Sequence, residues 1–358
     1  MLTALIITSI VAVAAVVLYL MQRSVLRRMR IDSAANTSNL RKKIDDLESK
    51  LQLAEKAAAS ASKDADAIRH TLTAREQEGN RLKTTVESLK IRRIDVIQSL
   101  LALQRTSYTD PGHIKVLFSD FFLLHKPFEM VGGDFYKLIS IRDNILVACG
   151  NCGISGEIGL LKGLQNVLML EDIVQRNGLE NIQAGEVLDA LRTKYAHIAE
   201  RDGYRHETDE DVPVNFTVCI INQRERTLSY AGAYGSLCLV RKAYPGTSRR
   251  EVDVHEFRGD RMNFAVSFGR RKNYTTENIT LEKDDKLYLK TDGYVNQRGG
   301  SQNARYGDQY LRQLLMKHAN EPMLEQRKAF EEEFENWRGN NRGNDILVIG
   351  LALKIAGK

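Results

Sequence analysis

Three short segments of the chain join the end of an apolar, β-prone run to an acid or amide beside glycine. They are Gly132-Gly133-Asp134-Phe135-Tyr136, Thr291-Asp292-Gly293-Tyr294 and Gly343-Asn344-Asp345-Ile346. Carboxylates at strand ends supply the oxygen ligands that a hard cation such as Mg²⁺ or Mn²⁺ takes, and glycine lets the backbone approach closely. Any one of the three is equally well read as a simple turn after a strand. A fourth segment, Cys149-Gly150-Asn151-Cys152, has the spacing of a redox dithiol at a helix start. The same spacing is met by chance where Cys149 is a small core residue. Cys219 and Cys238 form no second close pair, which argues against zinc.

The elements that must position these residues begin at about Ile114. Short β-rich runs follow one another: IKVLFSDFFLL, DFYKLISI, NILVACG, FTVCIIN, TLSYAGA, SLCLVRK, KLYLKTDG and DILVIGLAL. Helical patterns fall between them at about 157–176, 184–200, 308–318 and 322–337. The loops Arg142-Asp143-Asn144 and Gln223-Arg224-Glu225-Arg226 are short enough for hairpins, so the sheets are expected to be largely antiparallel. Sheets with a few long amphipathic helices on their faces make a layered α+β domain.

Upstream, residues 31–104 hold no proline and one glycine, Gly79. Small or apolar residues step by alternating fours and threes: Leu40, Ile44, Leu47, Leu51, Ala54, Ala58, Ala61, Ala65, Ile68 and Leu72, then Leu82, Val86 and Leu89. A sustained heptad predicts a coiled coil, read as a parallel dimer, or else a single helix lying on another subunit. Arg75 and Gly79 fall on seam positions and predict a local weak point. The segment 91–106 is richer in large apolar residues and is expected to couple stalk to globular domain, with Pro111-Gly112 breaking the helix.

Residues 2–21 carry no charge, and about twenty residues at about 1.5 Å each cover a hydrocarbon core of roughly 30 Å. A cleaved signal peptide would open on a basic region and end in small residues, whereas this run opens apolar and ends LYLMQR. It reads as an uncleaved anchor. Arg23, Arg27, Arg28 and Arg30 follow it, which predicts that the rest of the chain faces the cytoplasm. The same cluster serves equally as a plain topology signal or as a contact for anionic lipid. The expected layout is therefore an anchor over 1–22, a basic segment and coiled-coil stalk over 23–106, and a globular domain over 107–358, held at the inner membrane by a single pass. The net charge of +6 comes with no basic stretch interleaved with aromatics, which excludes nucleic-acid binding as a working hypothesis. Four cysteines are too few for a disulfide scaffold and fit a reducing compartment.

Taken in order, PFEMVGGDFYKL, the YAGAYGSLCLVRK strands after FTVCIIN, LYLKTDGYVNQRGG, the helix LEQRKAFEEEFENWRGN and the final NDILVIGL resemble the SpoIIE-like branch of the PPM-type, metal-dependent serine/threonine protein phosphatases. The resemblance spans about residues 110–354 and is nearest to membrane-anchored bacterial members. It implies a four-layer α-β-β-α sandwich of two antiparallel sheets. It also implies two divalent metals between the sheets, whose activated water attacks phosphoserine or phosphothreonine. Asp134 and Asp292 match metal-binding acids of the family. Asn151 stands where the family has an aspartate bridging both metals, Ile154 and Ser155 replace the glycine and histidine of the next turn, and Asn344 replaces the last acidic ligand.

Four carboxylates roughly balance two divalent cations, and an amide carries no charge and offers one oxygen. Asp345 and, from the next helix, Glu157 are weak candidates to make up the loss. Strand alternation places Asp345 on the face opposite Asn344. The resemblance thus implies weak Mn²⁺ or Mg²⁺ binding or none. The expected role is that of a pseudophosphatase in membrane signalling, binding a cytoplasmic regulatory protein or a membrane-complex component through the retained fold. The alternatives are an active Mn²⁺- or Mg²⁺-dependent phosphatase and a structural dimeric stalk protein.

Overall fold

A computed structural model describes residues 2–28, 37–201, 215–243, 252–262, 272–341 and 343–354. The chain divides into two compact units, Met1–Arg93 and Ile94–Lys358.

The first unit is helical. Helix α1 runs Leu2–Arg28, and its side chains are described over 9–24. The remaining side chains of the expected span 1–22, and those of Arg27, Arg28 and Arg30, lie outside the described residues. Among the described residues no helix is long and apolar enough to cross a membrane, so the expected transmembrane helix is not part of what the structure shows. Helix α2 runs Thr37–Ser107 without a break, passing straight through Arg75 and Gly79. Ile44, Leu47, Leu51, Ala54, Ala58, Ala61 and Ala65 are half-buried between exposed neighbours. Leu82, Val86 and Leu89 are exposed. The seam is present on one helix; the pairing of two such helices rests on the sequence pattern.

The second unit takes in the last turns of α2, where Ile97 and Leu100 are buried with Tyr108, Ile114 and Phe118. The helix break expected at Pro111-Gly112 is the start of a new helix, α3 (Pro111–Leu117). Asp110 caps it, its carboxylate accepting from the Gly112 N–H at 2.7 Å, and Pro111 occupies the first turn, where a missing N–H costs nothing. Ile114–Leu117 are therefore helical rather than the opening of a strand.

Strands β1 (Asp120–Lys126), β2 (Asp134–Ile141) and β3 (Asn144–Asn151) follow, then helices α4 (Gly156–Asn177) and α5 (Ala184–Arg201). Next come β4 (Asn215–Asn222), β5 (Thr227–Ala233), β6 (Ser236–Lys242), β7 (Val252–Arg258), β8 (Glu277–Thr280) and β9 (Lys286–Lys290). The chain continues through α6 (Asp292–Asn296), the short pair β10 (Arg298–Gly299) and β11 (Ala304–Arg305), α7 (Gly307–His318), α8 (Met323–Arg338) and β12 (Ile346–Ala352). One sheet has the order β1-β12-β9-β6-β7 and the other β2-β3-β4-β5-β8. Every ladder in both is antiparallel. Arg142 and Arg226 take positive φ in the two expected hairpin turns.

Period-two alternation fixes the layers. In the first sheet Leu287, Leu289, Leu347, Ile349 and Leu351 join the larger core with the second sheet, α4 and α5. Their neighbours Tyr288, Ile346 and Val348 turn to the other face and meet Phe330 and Phe334 of α8 and Leu311 and Leu315 of α7. The result is the expected α-β-β-α sandwich. Strands β7, β8 and the β10–β11 pair are additions to the sequence reading.

Candidate functional site at the ends of the sheets

The first and last residues of neighbouring strands bring the site together. Asp134 opens β2, Asn151 closes β3, and the two are partners in the register. Antiparallel partners on one face lie close enough for their side chains to meet. Here the Asn151 amide donates to one carboxylate oxygen of Asp134. The hydroxyl of Thr291, just past β9 in the other sheet, donates to the second oxygen at 2.7 Å. Asp134 is fully buried. Burial pushes its carboxyl up to about 7, although the hydrogen bonds from Asn151 and Thr291 pull it down. The other end of the Asn151 amide is also engaged, its oxygen accepting the Gly153 N–H.

Asp345, a weak candidate ligand by sequence, is tied to the segment before β2. One carboxylate oxygen accepts the Phe128 N–H at 2.7 Å and the other the Gly133 N–H at 2.9 Å. The strand-alternation reading also fails at this point: β12 begins at Ile346, so Asn344 and Asp345 precede the strand, and both line the same cleft. Asn344 donates to the Gly293 carbonyl at 3.3 Å. Asp292 opens α6, and its carboxylate accepts from Asn296 at 2.7 Å. Burial raises its carboxyl, with Lys290 pulling the other way.

The cleft has a volume of about 400 Å³, and its polar side chains are Asn151, Ser155, Asp292, Asn296, Asn344 and Asp345. Asp134 is sealed behind them, and Glu157, half-buried in the first turn of α4, is not part of the lining. Glycines permit the tight approach of backbones here. A Cβ on Gly293 would fall 1.9 Å from the Asp345 carbonyl oxygen, and one on Gly133 would fall 2.1 Å from that of Ile154. Sequence reasoning missed Thr291 and Asn296. Their proximity to Asp292 was the available signal, but which of them turns toward Asp134 depends on the other sheet.

The residues present do not fit a pair of divalent cations. Asp134 is enclosed by neutral donors and Asp345 engages both oxygens on backbone N–H groups, which leaves Asp292, itself accepting from Asn296, as the carboxylate facing the cleft beside the amides of Asn151 and Asn344. Among the described residues no group of three or more His, Cys, Asp and Glu side chains is placed to hold an ion. Cys149 and Cys152 are both buried and free. Burial pushes the Cys149 thiol far up and the Cys152 thiol up to about 12, the opposite of an activated dithiol.

Two five-stranded antiparallel sheets between helical layers, with the cleft at one end of the sheets, define a PP2C-type phosphatase fold. The profile of the family Stage II sporulation protein E (SpoIIE) matches residues 166–354, just over half of the chain, and the protein belongs to that family. The matched stretch begins after Asp134 and Asn151 and includes Asp292 and Asn344. The SiaA-PP2C domain of Pseudomonas aeruginosa superimposes with a TM-score of 0.62 at 22% identity, over 75% of this chain and 99% of that one. The PP2C phosphatase domain with a fragment of the regulatory domain of the cell fate determinant SpoIIE from Bacillus subtilis gives 0.51 at 12% identity, over 65% of this chain and 61% of that one. At these identities the likeness is one of fold. No curated protein sequence matches the chain.

Proposed function

We propose that the chain is a membrane-anchored signalling protein whose SpoIIE-type domain acts as a pseudophosphatase, binding a protein partner through the retained fold. The observation that carries the reading is the Asn151–Asp134 hydrogen bond. An amide occupies the space beside the buried acid, and two-metal hydrolysis needs negative ligands that hold two cations close together and lower the pKa of a bound water. With amides at Asn151 and Asn344, two cations in the cleft would repel one another with too little compensating charge. The partner in this reading is a cytoplasmic regulatory protein or a component of a membrane complex. The uncharged run 2–21 followed by arginines supports the anchor and a cytoplasmic domain. An impermeant thiol reagent that reached a cysteine appended after Lys358 in intact cells would overturn that orientation.

The decisive measurement combines calorimetric titration of the full chain with Mn²⁺ and Mg²⁺ and an assay on phosphoserine peptides. Weak or absent binding and no metal-dependent turnover are expected. Robust Mn²⁺-dependent turnover, abolished by Asp292→Ala, would establish the active phosphatase instead.

A further inference from the structure

The acid end of the sandwich is tied shut by side-chain hydrogen bonds that cross from one sheet to the other. Asp134 belongs to β2 of the second sheet and accepts the hydroxyl of Thr291, which follows β9 of the first, at 2.7 Å. Its neighbour Gly133 donates its N–H to Asp345, which precedes β12 of the first sheet, at 2.9 Å. Thr291 is itself fixed, its oxygen accepting the Leu347 N–H at 3.1 Å and its own N–H reaching the Leu347 carbonyl at 3.0 Å. Asp134, Thr291 and Asp345 are all buried. The charges that act on Asp134 from nearby, Asp345 and Asp292, are both negative. A buried carboxylate among like charges needs compensation. Its two carboxylate oxygens each accept from a neutral donor, the Asn151 amide and the Thr291 hydroxyl.

We infer that the cross-sheet hydrogen bonds Thr291–Asp134 and Gly133–Asp345, with the Asn151 amide supporting Asp134 from within its own sheet, take the place of a divalent cation in holding the two sheets together at this end, so that the domain is stable without metal. Asn151 is then a positioning residue. Its amide brings a donor, and no charge, to the one place where a carboxylate would face Asp134 across the β2–β3 register. The inference rests on the reading of the site as unsuited to two cations, but it concerns folding rather than turnover.

The test is a thermal melt of the full chain at pH 8.5, above the range in which Asp134 keeps its proton, followed through Trp337, the single tryptophan, in EDTA and in millimolar Mn²⁺. The wild type is expected to melt at the same temperature in both. Asn151→Asp sets two carboxylates against each other, so its melt in EDTA should fall by roughly 5 °C or more and recover when Mn²⁺ is added. Thr291→Val should melt lower than wild type in both media, and Thr291→Ser, which keeps the hydroxyl, should restore it. If Asn151→Asp does not fold in EDTA, its recovery as folded protein in Mn²⁺ supports the inference equally, and the two Thr291 variants carry the test if it folds in neither. A wild-type melt that drops in EDTA and rises with Mn²⁺ overturns it, as does Asn151→Asp melting like wild type without metal or Thr291→Val matching wild type. The metal-free melt and the phosphopeptide assay are separate readouts: a wild type that melts alike in both media yet turns over with Mn²⁺ would sink the pseudophosphatase reading and leave this one standing.

Discussion

Asn151 and Asp134 face each other across the β2–β3 ladder, and the amide of one donates to the carboxylate of the other. The acid is nevertheless held at about 7 by its burial, against an ordinary value of 3.8. Between those values the folded protein keeps a proton that the unfolded chain releases. Stability therefore falls as pH rises from about 4 to about 7, and the full cost is present above 7. Ionising Asp134 within the fold therefore costs on the order of 4 kcal/mol. Urea unfolding at pH 5 and pH 8 should show the wild type less stable at the higher pH, and Asp134→Asn should remove most of the difference. An unchanged pH profile in the variant would mean that Asp134 is ionised in the fold at little cost.

Asp345 and Asn344 are adjacent and line one cleft, yet their loss should differ sharply. Asp345 accepts two backbone N–H groups from the segment leading into β2, and leaving both unpaired should cost about 3 kcal/mol. Asn344 makes one longer bond to the Gly293 carbonyl, and Asn344→Ala should cost about 1 kcal/mol or less. Equilibrium unfolding of Asp345→Ala and Asn344→Ala decides it, and equal effects would contradict the assignment of Asp345 to the loop.

Gly293→Ala should be among the more damaging single substitutions in the domain. The added Cβ meets the Asp345 carbonyl oxygen at 1.9 Å, and a backbone atom cannot swing aside as a side chain can. A loss of about 3 kcal/mol is expected. Gly79→Ala, with open space around the new Cβ, serves as the control and should be neutral or stabilising, because alanine favours a helix interior by roughly 1 kcal/mol.

The four thiols should be silent in the folded protein. Cys149, Cys152, Cys219 and Cys238 are free and buried, with burial raising each of them. An aromatic disulfide reagent at pH 8 should release no chromophore within minutes from native protein and four equivalents in denaturant. Rapid reaction of two thiols in the native state would revive the dithiol reading of Cys149 and Cys152.

Sedimentation tests the stalk. Leu82, Val86 and Leu89 are exposed apolar residues on one helix, spaced as a heptad seam. A fragment starting at Ile31 should sediment as a dimer at tens of micromolar, and Val86→Lys with Leu89→Lys should shift it to monomer. A wild-type fragment that is already monomeric with its globular domain folded would refute the paired stalk.

Several features were written in local pattern alone. Four helices fell within a residue or two of their expected limits, from Gly156–Asn177 to Met323–Arg338, because a 3.6-residue period reports a buried face wherever that face is buried. The strands from β2 to β6, with β9 and β12, were legible for the same reason with a period of two. Segments β7 and β8 escaped because neither reads as a continuous apolar run: VDVHEFR and ENIT gain their place from the strands beside them. The sequence also determined which chemistry was available, since GGD, TDG and the amides at 151 and 344 are simply there to be read. What those groups do was decided by tertiary structure. Asp345 reaches Phe128 and Gly133 across 217 and 212 residues, and Thr291 reaches Asp134 across 157. Periodicity fixes which face of an element is apolar, but not which polar end residue of one sheet stands opposite which in the other. That pairing follows from how the two sheets stack, and it sets Asp134, Thr291 and Asp345 in buried hydrogen bonds that no local pattern announces.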